Sequence, residues 1–212
     1  MADRRLRIWE SLLQNALAII DEAVAMGTPV RGWSFGGGTV LMRRHRHRIS
    51  KDVDIFVPDP QWLGYLTPRL NQKAEMLVPD YVEQAGFLKL YFPEGEIDFV
   101  AAAPLTRNPT RTETIVGREI EVETSAEIIA KKVWHRGGEF TARDLFDFAL
   151  VARKEPGELE KLARILEGRR DALTLRLVAH DAALREDFDA LDVLDFSPSY
   201  DECVEILKKT ID

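Results

Sequence analysis

A glycine-rich turn followed by a pair of aspartates is the feature that most constrains this chain. Gly36-Gly37-Gly38-Thr39 lies between a short apolar stretch and a segment of helical composition, and Asp52-Val53-Asp54 follows in an apolar run. Glycines let backbone N–H groups approach a phosphate, and aspartates two apart on a strand face the same way and can share a divalent cation. The pattern predicts strand, turn, helix and strand around a phosphate and metal site.

Asp98 is a third acidic residue in a similar setting, within the otherwise apolar stretch Ile97 to Ala101. If this strand lies beside the first, its carboxylate comes within roughly 5 Å across the ladder. Three such carboxylates suit two Mg²⁺ ions that clamp an in-line phosphoryl displacement. Asp52 and Asp54 would hold the metal against a triphosphate, and Asp98 would bind the second ion and help deprotonate the attacking hydroxyl. Glu96, on the same face as Asp98, is an alternative ligand.

Each motif also has a reading that needs no ligand. A D-x-D at a strand end is often a solvated turn or a helix cap, and a glycine turn can simply connect a strand to a helix. The turn does not match the P-loop pattern, and Leu41 stands where a dinucleotide-binding turn has its third glycine. The combination, rather than either motif alone, favours phosphate and metal binding.

Composition limits the classes of protein further. The 212 residues are 45% hydrophobic and 31% charged, and no stretch has the length of a membrane span or the pattern of a signal peptide, so we expect a cytoplasmic protein without membrane partners. Cys203 is the only cysteine, which excludes an internal disulfide. The net charge of −7 argues against broad coating of nucleic acid. The basic run Arg43 to Arg48 is a local candidate for triphosphate or RNA, or else an exposed helix end.

Periodicity predicts a mixed first half and a helical second half, an α+β class with a mixed sheet flanked by helices and a C-terminal helical lobe. We expect a nucleotidyl-transfer core at residues 1–122 and a helical lobe at 123–212 packed on it. The predicted helices are 6–26, a start at Thr39, 62–74, 126–136, 142–154, 158–168, 173–185 and 200–209; the predicted strands are 29–35, 53–57, 81–85, 87–92, 97–101 and a hairpin at 112–122.

Four blocks in this order resemble the AbiEii/AbiGii toxin family of the DNA polymerase β-type nucleotidyltransferase superfamily. They are Gly37-Gly38-Thr39-Val40-Leu41, Arg48-Ile49-Ser50-Lys51-Asp52-Val53-Asp54, Ala130-Lys131-Lys132 and Arg143-Asp144-Leu145-Phe146-Asp147. The resemblance implies a magnesium-dependent nucleotidyltransferase that uses a nucleoside triphosphate. It also implies a toxin-like role in a toxin–antitoxin or phage-defence system, with tRNA or another RNA as acceptor and an antitoxin as possible partner.

The resemblance also implies roles for individual residues. By the resemblance, Asp52 and Asp54 hold metal, Gly38 and Thr39 contact phosphate, and Lys132 and Asp144 complete the catalytic set from the helical lobe. The strand argument above adds Asp98 to the metal ligands. We also assign Gly37, Arg48 and Ser50 to the nucleotide.

Several assignments stay open at this point. Lys131 is an alternative to Lys132 as the lysine of the site. Asp147 lies on the same helix face as Asp144 and is an alternative to it. Asp144, three residues after Thr141, also fits a helix-capping role without catalysis. Two other functions use the same fold: adenylyl transfer to a small molecule such as an aminoglycoside, and nucleotide binding without catalysis. The tryptophans Trp33, Trp62 and Trp134 are predicted to be core residues, because no other aromatics form a stripe with them.

Overall fold

The computed structural model describes residues 4–211; residues 1–3 and 212, which the predicted domains include, lie outside the described residues. The chain divides into two compact units. The first comprises the chain up to Val40, Ser50–Pro104 and Thr110–Glu123; the second comprises Leu41–Ile49, Leu105–Pro109 and the chain from Thr124. Two short segments that precede the predicted boundary therefore group with the second unit. The assignment of a core to 1–122 and of a helical lobe to 123–212 stays a prediction.

The first unit contains a seven-stranded mixed sheet. Its strands are β1 (Ser34–Gly36), β2 (Val53–Val57), β3 (Asp80–Gln84), β4 (Phe87–Phe92), β5 (Gly95–Ala101), β6 (Thr110–Ile115) and β7 (Arg118–Glu123). Their order across the sheet is β3-β4-β5-β2-β1-β7-β6. β2 runs parallel to β5 and antiparallel to β1, and β1 runs parallel to β7. The lone acidic positions predicted on β2 and β5 thus lie on neighbouring strands.

Helices α1 (Ile8–Ala25), α3 (Leu63–Leu66) and α4 (Gln72–Leu77) also belong to the first unit, and α2 (Gly37–His45) begins in it. Trp9 of α1 stacks on Phe35 of β1 with ring centroids 6.0 Å apart. The single helix predicted over 62–74 is wrong. Pro68 cannot continue a helix, and the chain restarts where the Asn71 side chain accepts a hydrogen bond from Ala74 N at 2.9 Å.

The second unit is helical. Its helices are α5 (Ser125–Arg136), α6 (Ala142–Lys154), α7 (Pro156–Glu160), α8 (Ala163–Ala179), α9 (Asp181–Asp189) and α10 (Tyr200–Ile211). The bounds predicted between 158 and 185 are wrong, because α8 continues through Gly168 and ends at residue 179. This helix has apolar residues on several sides, with Leu173 buried but Leu175 and Val178 68% and 70% exposed, so no single face marks its extent.

Hydrogen bonds explain why the two early segments belong to the second unit. The backbone of 46–49 bonds to that of 192–195, as in Leu194 N to His47 O at 2.9 Å. The buried Glu127 carboxylate accepts from the backbone N–H groups of Leu105 and Thr106. The predicted α+β class, with its mixed sheet and helical C-terminal part, is confirmed. Among residues 4–211, no helix is long and apolar enough to cross a membrane.

Candidate active site

One row of residues crosses five strands in the middle of the sheet. Lys89 of β4 is opposite Asp98 of β5, Asp98 is opposite Asp54 of β2, and Asp54 is opposite Gly36 of β1. Phe35 pairs with Val122, so Glu123 of β7 comes beside Gly36. Residues opposite each other on neighbouring strands face the same side. The register therefore places three carboxylates, one ammonium and one glycine on one face.

The opposite face of β2 is apolar, which fixes the direction of its aspartates. Val53, Ile55 and Val57 are fully buried, and Ile55 pairs with Phe35, on which α1 packs. Side chains alternate along a strand, so Asp54 lies on the other face. A one-residue slip of this strand would bury its carboxylates and expose its core residues.

The turn between β1 and α2 requires glycine at two positions. Gly37 has φ +74°, and a Cβ built there would overlap the carboxylate of Asp54. A Cβ on Gly36 would overlap the carboxylate of Glu123 and come within 2.8 Å of the Phe56 ring. The turn and the aspartate strand therefore lie in direct contact, and only glycine permits it.

The side chain of Thr39 bonds to the chain that enters β2. Thr39 is fully buried, and its hydroxyl donates to the backbone carbonyl of Asp52 at 2.5 Å and is hydrogen-bonded to Ser50 Oγ at 3.0 Å. These bonds tie the start of α2 to the chain entering β2. For an anion, the relevant groups are the first backbone N–H groups of α2, which have no partner within the helix.

Asp98, in the row, and Asp52, next to it in the chain entering β2, bond to neighbours on β4 and β5. Asp52 Oδ1 accepts from Glu96 N at 3.1 Å. Lys89 Nζ donates to Asp98 Oδ2 at 2.9 Å and to Glu96 Oε2 at 2.5 Å. Asp98 Oδ1 is buried and has no hydrogen-bond partner among the described residues. This oxygen can therefore accept a further donor or a cation.

Burial dominates the ionisation of Asp98. Loss of hydration raises the pKa of its carboxyl, and Lys89 offsets only part of this rise. Burial would lower the pKa of Lys89, but its bonds to Glu96 and Asp98 outweigh that effect and raise the pKa. Within residues 4–211, no group of three or more His, Cys, Asp or Glu side chains stands at metal-ligand spacing. The register places Asp54 beside Asp98, and Asp52 bonds to the backbone of Glu96 on the same strand as Asp98.

The residues predicted from the later motifs form a charged cluster in the second unit. Lys132 Nζ lies 2.5 Å from Asp144 Oδ1 and 3.1 Å from Asp147 Oδ2. The Arg48 guanidinium donates two hydrogen bonds of 2.8 Å to the Asp147 carboxylate, and His47 Nε2 lies 2.8 Å from the same carboxylate. The basic run 43–48 is thus not one exposed strip, because His47 and Arg48 are buried. The assignment of Arg48 to the nucleotide stays a prediction.

Asp144 combines a structural role with its ion pair. Its side chain and that of Thr141 form a capping box at the start of α6. Burial favours the neutral carboxyl, but the charges of Lys132 and Arg136 outweigh it and lower the pKa of Asp144. Lys131 lies instead 3.7 Å from Glu127. Of the two candidate lysines, Lys132 is therefore the one that contacts Asp144, and it contacts Asp147 as well.

Sequence reasoning missed Lys89 and Glu123. Lys89 is the single charged residue in β4, as Asp98 is in the stretch Ile97 to Ala101 that the sequence predicted as a strand. Glu123 ends β7 and is buried, and its Oε1 accepts from Ser34 Oγ at 3.1 Å. Nothing in its local sequence distinguishes it from Glu119 and Glu121, because its position depends on the order of the strands.

Comparison with known proteins identifies the family. The model of the nucleotidyl transferase AbiEii toxin, Type IV TA system, matches residues 30–206. The chain belongs to this family. It is a nucleotidyltransferase of the AbiEii group, as the four motif blocks predicted. A search of curated proteins gives no match.

Two solved structures share the fold of this AbiEii protein at low sequence identity. JHP933 from Helicobacter pylori is 15% identical with a TM-score of 0.50, and the alignment covers 92% of this chain and 90% of that one. MenT4, a nucleotidyltransferase toxin from Mycobacterium tuberculosis H37Rv, is 16% identical with a TM-score of 0.50, covering 95% and 82% respectively. At this identity the likeness concerns the fold.

Proposed function

We propose that this AbiEii protein transfers a nucleotide from a nucleoside triphosphate to an RNA acceptor, with Mg²⁺ as cofactor. One observation carries the proposal: Asp98, Asp54 and Gly36 stand in register on three neighbouring strands, at the point where the chain turns into α2. Acidic side chains and a helix N-terminus on one sheet face suit a metal-bound triphosphate.

The donor phosphates are assigned to the start of α2. The backbone N–H groups of Gly37, Gly38 and Thr39 lie at the positive end of the helix dipole, which favours a bound anion. Thr39 supports this site through its hydrogen bonds to Ser50 Oγ and to the backbone carbonyl of Asp52, in the chain entering β2. The role of the Thr39 hydroxyl is therefore to hold the turn, and its N–H contacts phosphate.

The side chains of Asp52, Asp54 and Asp98 fit Mg²⁺ in ligand chemistry. Hard divalent cations prefer carboxylate oxygens, and the buried Asp98 Oδ1 has no hydrogen-bond partner within residues 4–211. When bound, Mg²⁺ supplies charge neutralisation to the triphosphate and its leaving group. We assign two ions to these three aspartates.

We assign Asp98 as the general base that accepts the proton of the acceptor hydroxyl. The acceptor hydroxyl oxygen attacks the α-phosphorus, the bond to the β-phosphate oxygen breaks, and pyrophosphate leaves. The hydroxyl proton passes to the Asp98 carboxylate, whose pKa burial raises. Lys132 and Asp144 are carried over from the family motif as further catalytic residues, and the 2.5 Å ion pair between them is consistent with a shared role.

RNA, and tRNA in particular, is the acceptor that the family resemblance supports. The family description also motivates a toxin-like role in a toxin–antitoxin or phage-defence system, with an antitoxin as partner and the cytoplasm as location. Transfer to a small molecule such as an aminoglycoside, and nucleotide binding without transfer, are the alternatives.

One assay separates these functions. Purified protein is incubated with Mg²⁺, each α-labelled triphosphate, and either total tRNA or a panel of aminoglycosides. Label on tRNA supports the proposal, whereas label on a drug alone would replace it with the small-molecule function. Tight triphosphate binding with no label on either acceptor would favour the non-catalytic alternative.

A further inference from the structure

The C-terminal end of α5 exposes an aromatic residue that the sequence places in the core. Trp134 is 43% exposed, so its prediction as a core residue is wrong. Arg169 of α8 places its guanidinium carbon 4.5 Å from the centroid of the indole ring. The stem of Arg169 lies over Gly137, where an added Cβ would stand 3.5 Å from Arg169 Cδ. A guanidinium, rather than an apolar side chain, therefore covers one side of this ring.

The surroundings of Trp134 carry positive charge. Residues 131–143 contain Lys131, Lys132, Arg136 and Arg143; Lys131 pairs with Glu127, and Lys132 and Arg136 pair with Asp144. Within residues 5–211 Arg169 forms no ion pair, and its buried Nε has no hydrogen-bond partner. Burial, followed by the charges of Lys131, Arg169 and Arg136, lowers the pKa of His135. The charges that act on His135 are therefore mainly those of cations, with Glu127 opposing them, although the whole chain has a net charge of −7.

We propose that Trp134, Arg136 and Arg169 form a docking surface for the RNA strand, an inference that rests on the proposed RNA acceptor. A polyanion meets repulsion over most of an acidic protein and binds where cations are concentrated. A planar guanidinium on an exposed indole adds a platform on which a base can stack. Arg136 pairs with Asp144 at 3.2 Å but is 53% exposed, and we assign its exposed part to a phosphate contact. An acidic protein would match the charge but would not use the stacked pair.

The test measures binding of fluorescein-labelled total tRNA by anisotropy at several salt concentrations. Trp134→Ala and Arg169→Ala are each expected to weaken binding about tenfold, the order expected for a lost stacking or phosphate contact. Arg169→Ala should also reduce the salt slope by about one. Arg164→Ala removes the same charge from an exposed site on α8 and should change neither quantity.

Conservative variants guard against loss of the fold. Trp134→Phe keeps a stacking ring and Arg169→Lys keeps the charge, so both should bind tRNA better than the alanine variants. In the transfer assay the alanine variants should raise KM for tRNA while Kd for the triphosphate stays constant.

Failure of this surface is distinguishable from failure of the proposed function. If the wild-type protein neither binds nor labels tRNA, the proposal of an RNA acceptor is overturned, and the proposal of an RNA docking surface is overturned with it. If wild type labels tRNA but all four variants match it in affinity, salt slope and KM, only the docking surface is overturned. Competition by polyglutamate as effective as that by unlabelled tRNA would likewise overturn the assignment to RNA.

Discussion

The carboxylate of Asp54 occupies the space that a side chain at position 37 would need. Gly37 has φ +74°, and a Cβ there would overlap Asp54 Oδ2. The glycine turn and the aspartate strand thus constrain each other. In the sequence, this contact joins the glycine turn to the D-x-D pair that follows it after one helix.

Gly37→Ala should destabilise the protein and suppress transfer. A left-handed backbone costs a non-glycine residue about 1–3 kcal/mol, and the new methyl group would displace Asp54. Urea unfolding and the transfer assay measure the two effects. Gly64→Ala is the control, because a Cβ at Gly64 meets nothing within 4 Å. Equal stability and activity of both variants would contradict the role of Gly37.

Asp147→Ala should cost about 3–5 kcal/mol of unfolding free energy, because it leaves Arg48 buried without its carboxylate. Asp195→Ala breaks the Arg46–Asp195 pair, whose aspartate is 59% exposed, and should cost under about 1 kcal/mol. Urea unfolding of both variants makes the comparison. A loss at Asp147 no larger than that at Asp195 would show that the buried cluster is not a stability centre.

His47 should make stability depend on pH. Burial lowers its pKa in the folded state, and the bond to Asp147 offsets this only in part. The unfolded chain, with an ordinary histidine pKa of about 6.5, therefore binds the proton more tightly. The stabilisation is complete above that pH and is lost as the pH falls through the lowered folded value.

Unfolding free energies measured from about pH 7 to 5 test this effect. His47→Gln should flatten the decline, whereas the control His180→Gln, at an exposed histidine, should keep it. The same slope in wild type and His47→Gln would contradict the assignment.

Lys89→Met should move the acidic limb of the pH profile of kcat/KM to higher pH. Lys89 lowers the pKa of Asp98 against the effect of burial, so its removal lets that pKa rise further. The carboxylate form needed as base then appears at higher pH. Lys209→Met, which removes an exposed lysine paired with Glu205, serves as control. An unmoved limb would show that Asp98 is not the group seen in the profile.

Local sequence was sufficient for some of this architecture and not for the rest. β2 and β4 coincide with their predicted spans because alternation or apolar runs bounded by turns specify them. An acid in the apolar β5 correctly suggested a strand beside β2 with Asp98 near Asp54. Lys89 and Glu123 lie in the cross-strand row because of the order of the strands in the sheet. The apolar periodicity of the sequence does not determine that order.

The helical part shows the same limit. The capping residues Thr124 and Thr141 fix the starts of α5 and α6, which the sequence predicted within one residue. The extent of α8 was missed because its apolar residues lie on several sides. Trp134 was misplaced since exposure of a large aromatic depends on what packs over it, here Arg169.

The central claim is that Asp52, Asp54 and Asp98 form the site of nucleotidyl transfer, and Asp54→Ala tests it most directly. Transfer of α-labelled nucleotide to tRNA is measured for wild type, Asp54→Ala and the control Asp80→Asn, at an exposed aspartate on β3. The account predicts label at background for Asp54→Ala, with its unfolding transition retained, and wild-type label for Asp80→Asn. Undiminished label with Asp54→Ala would contradict it.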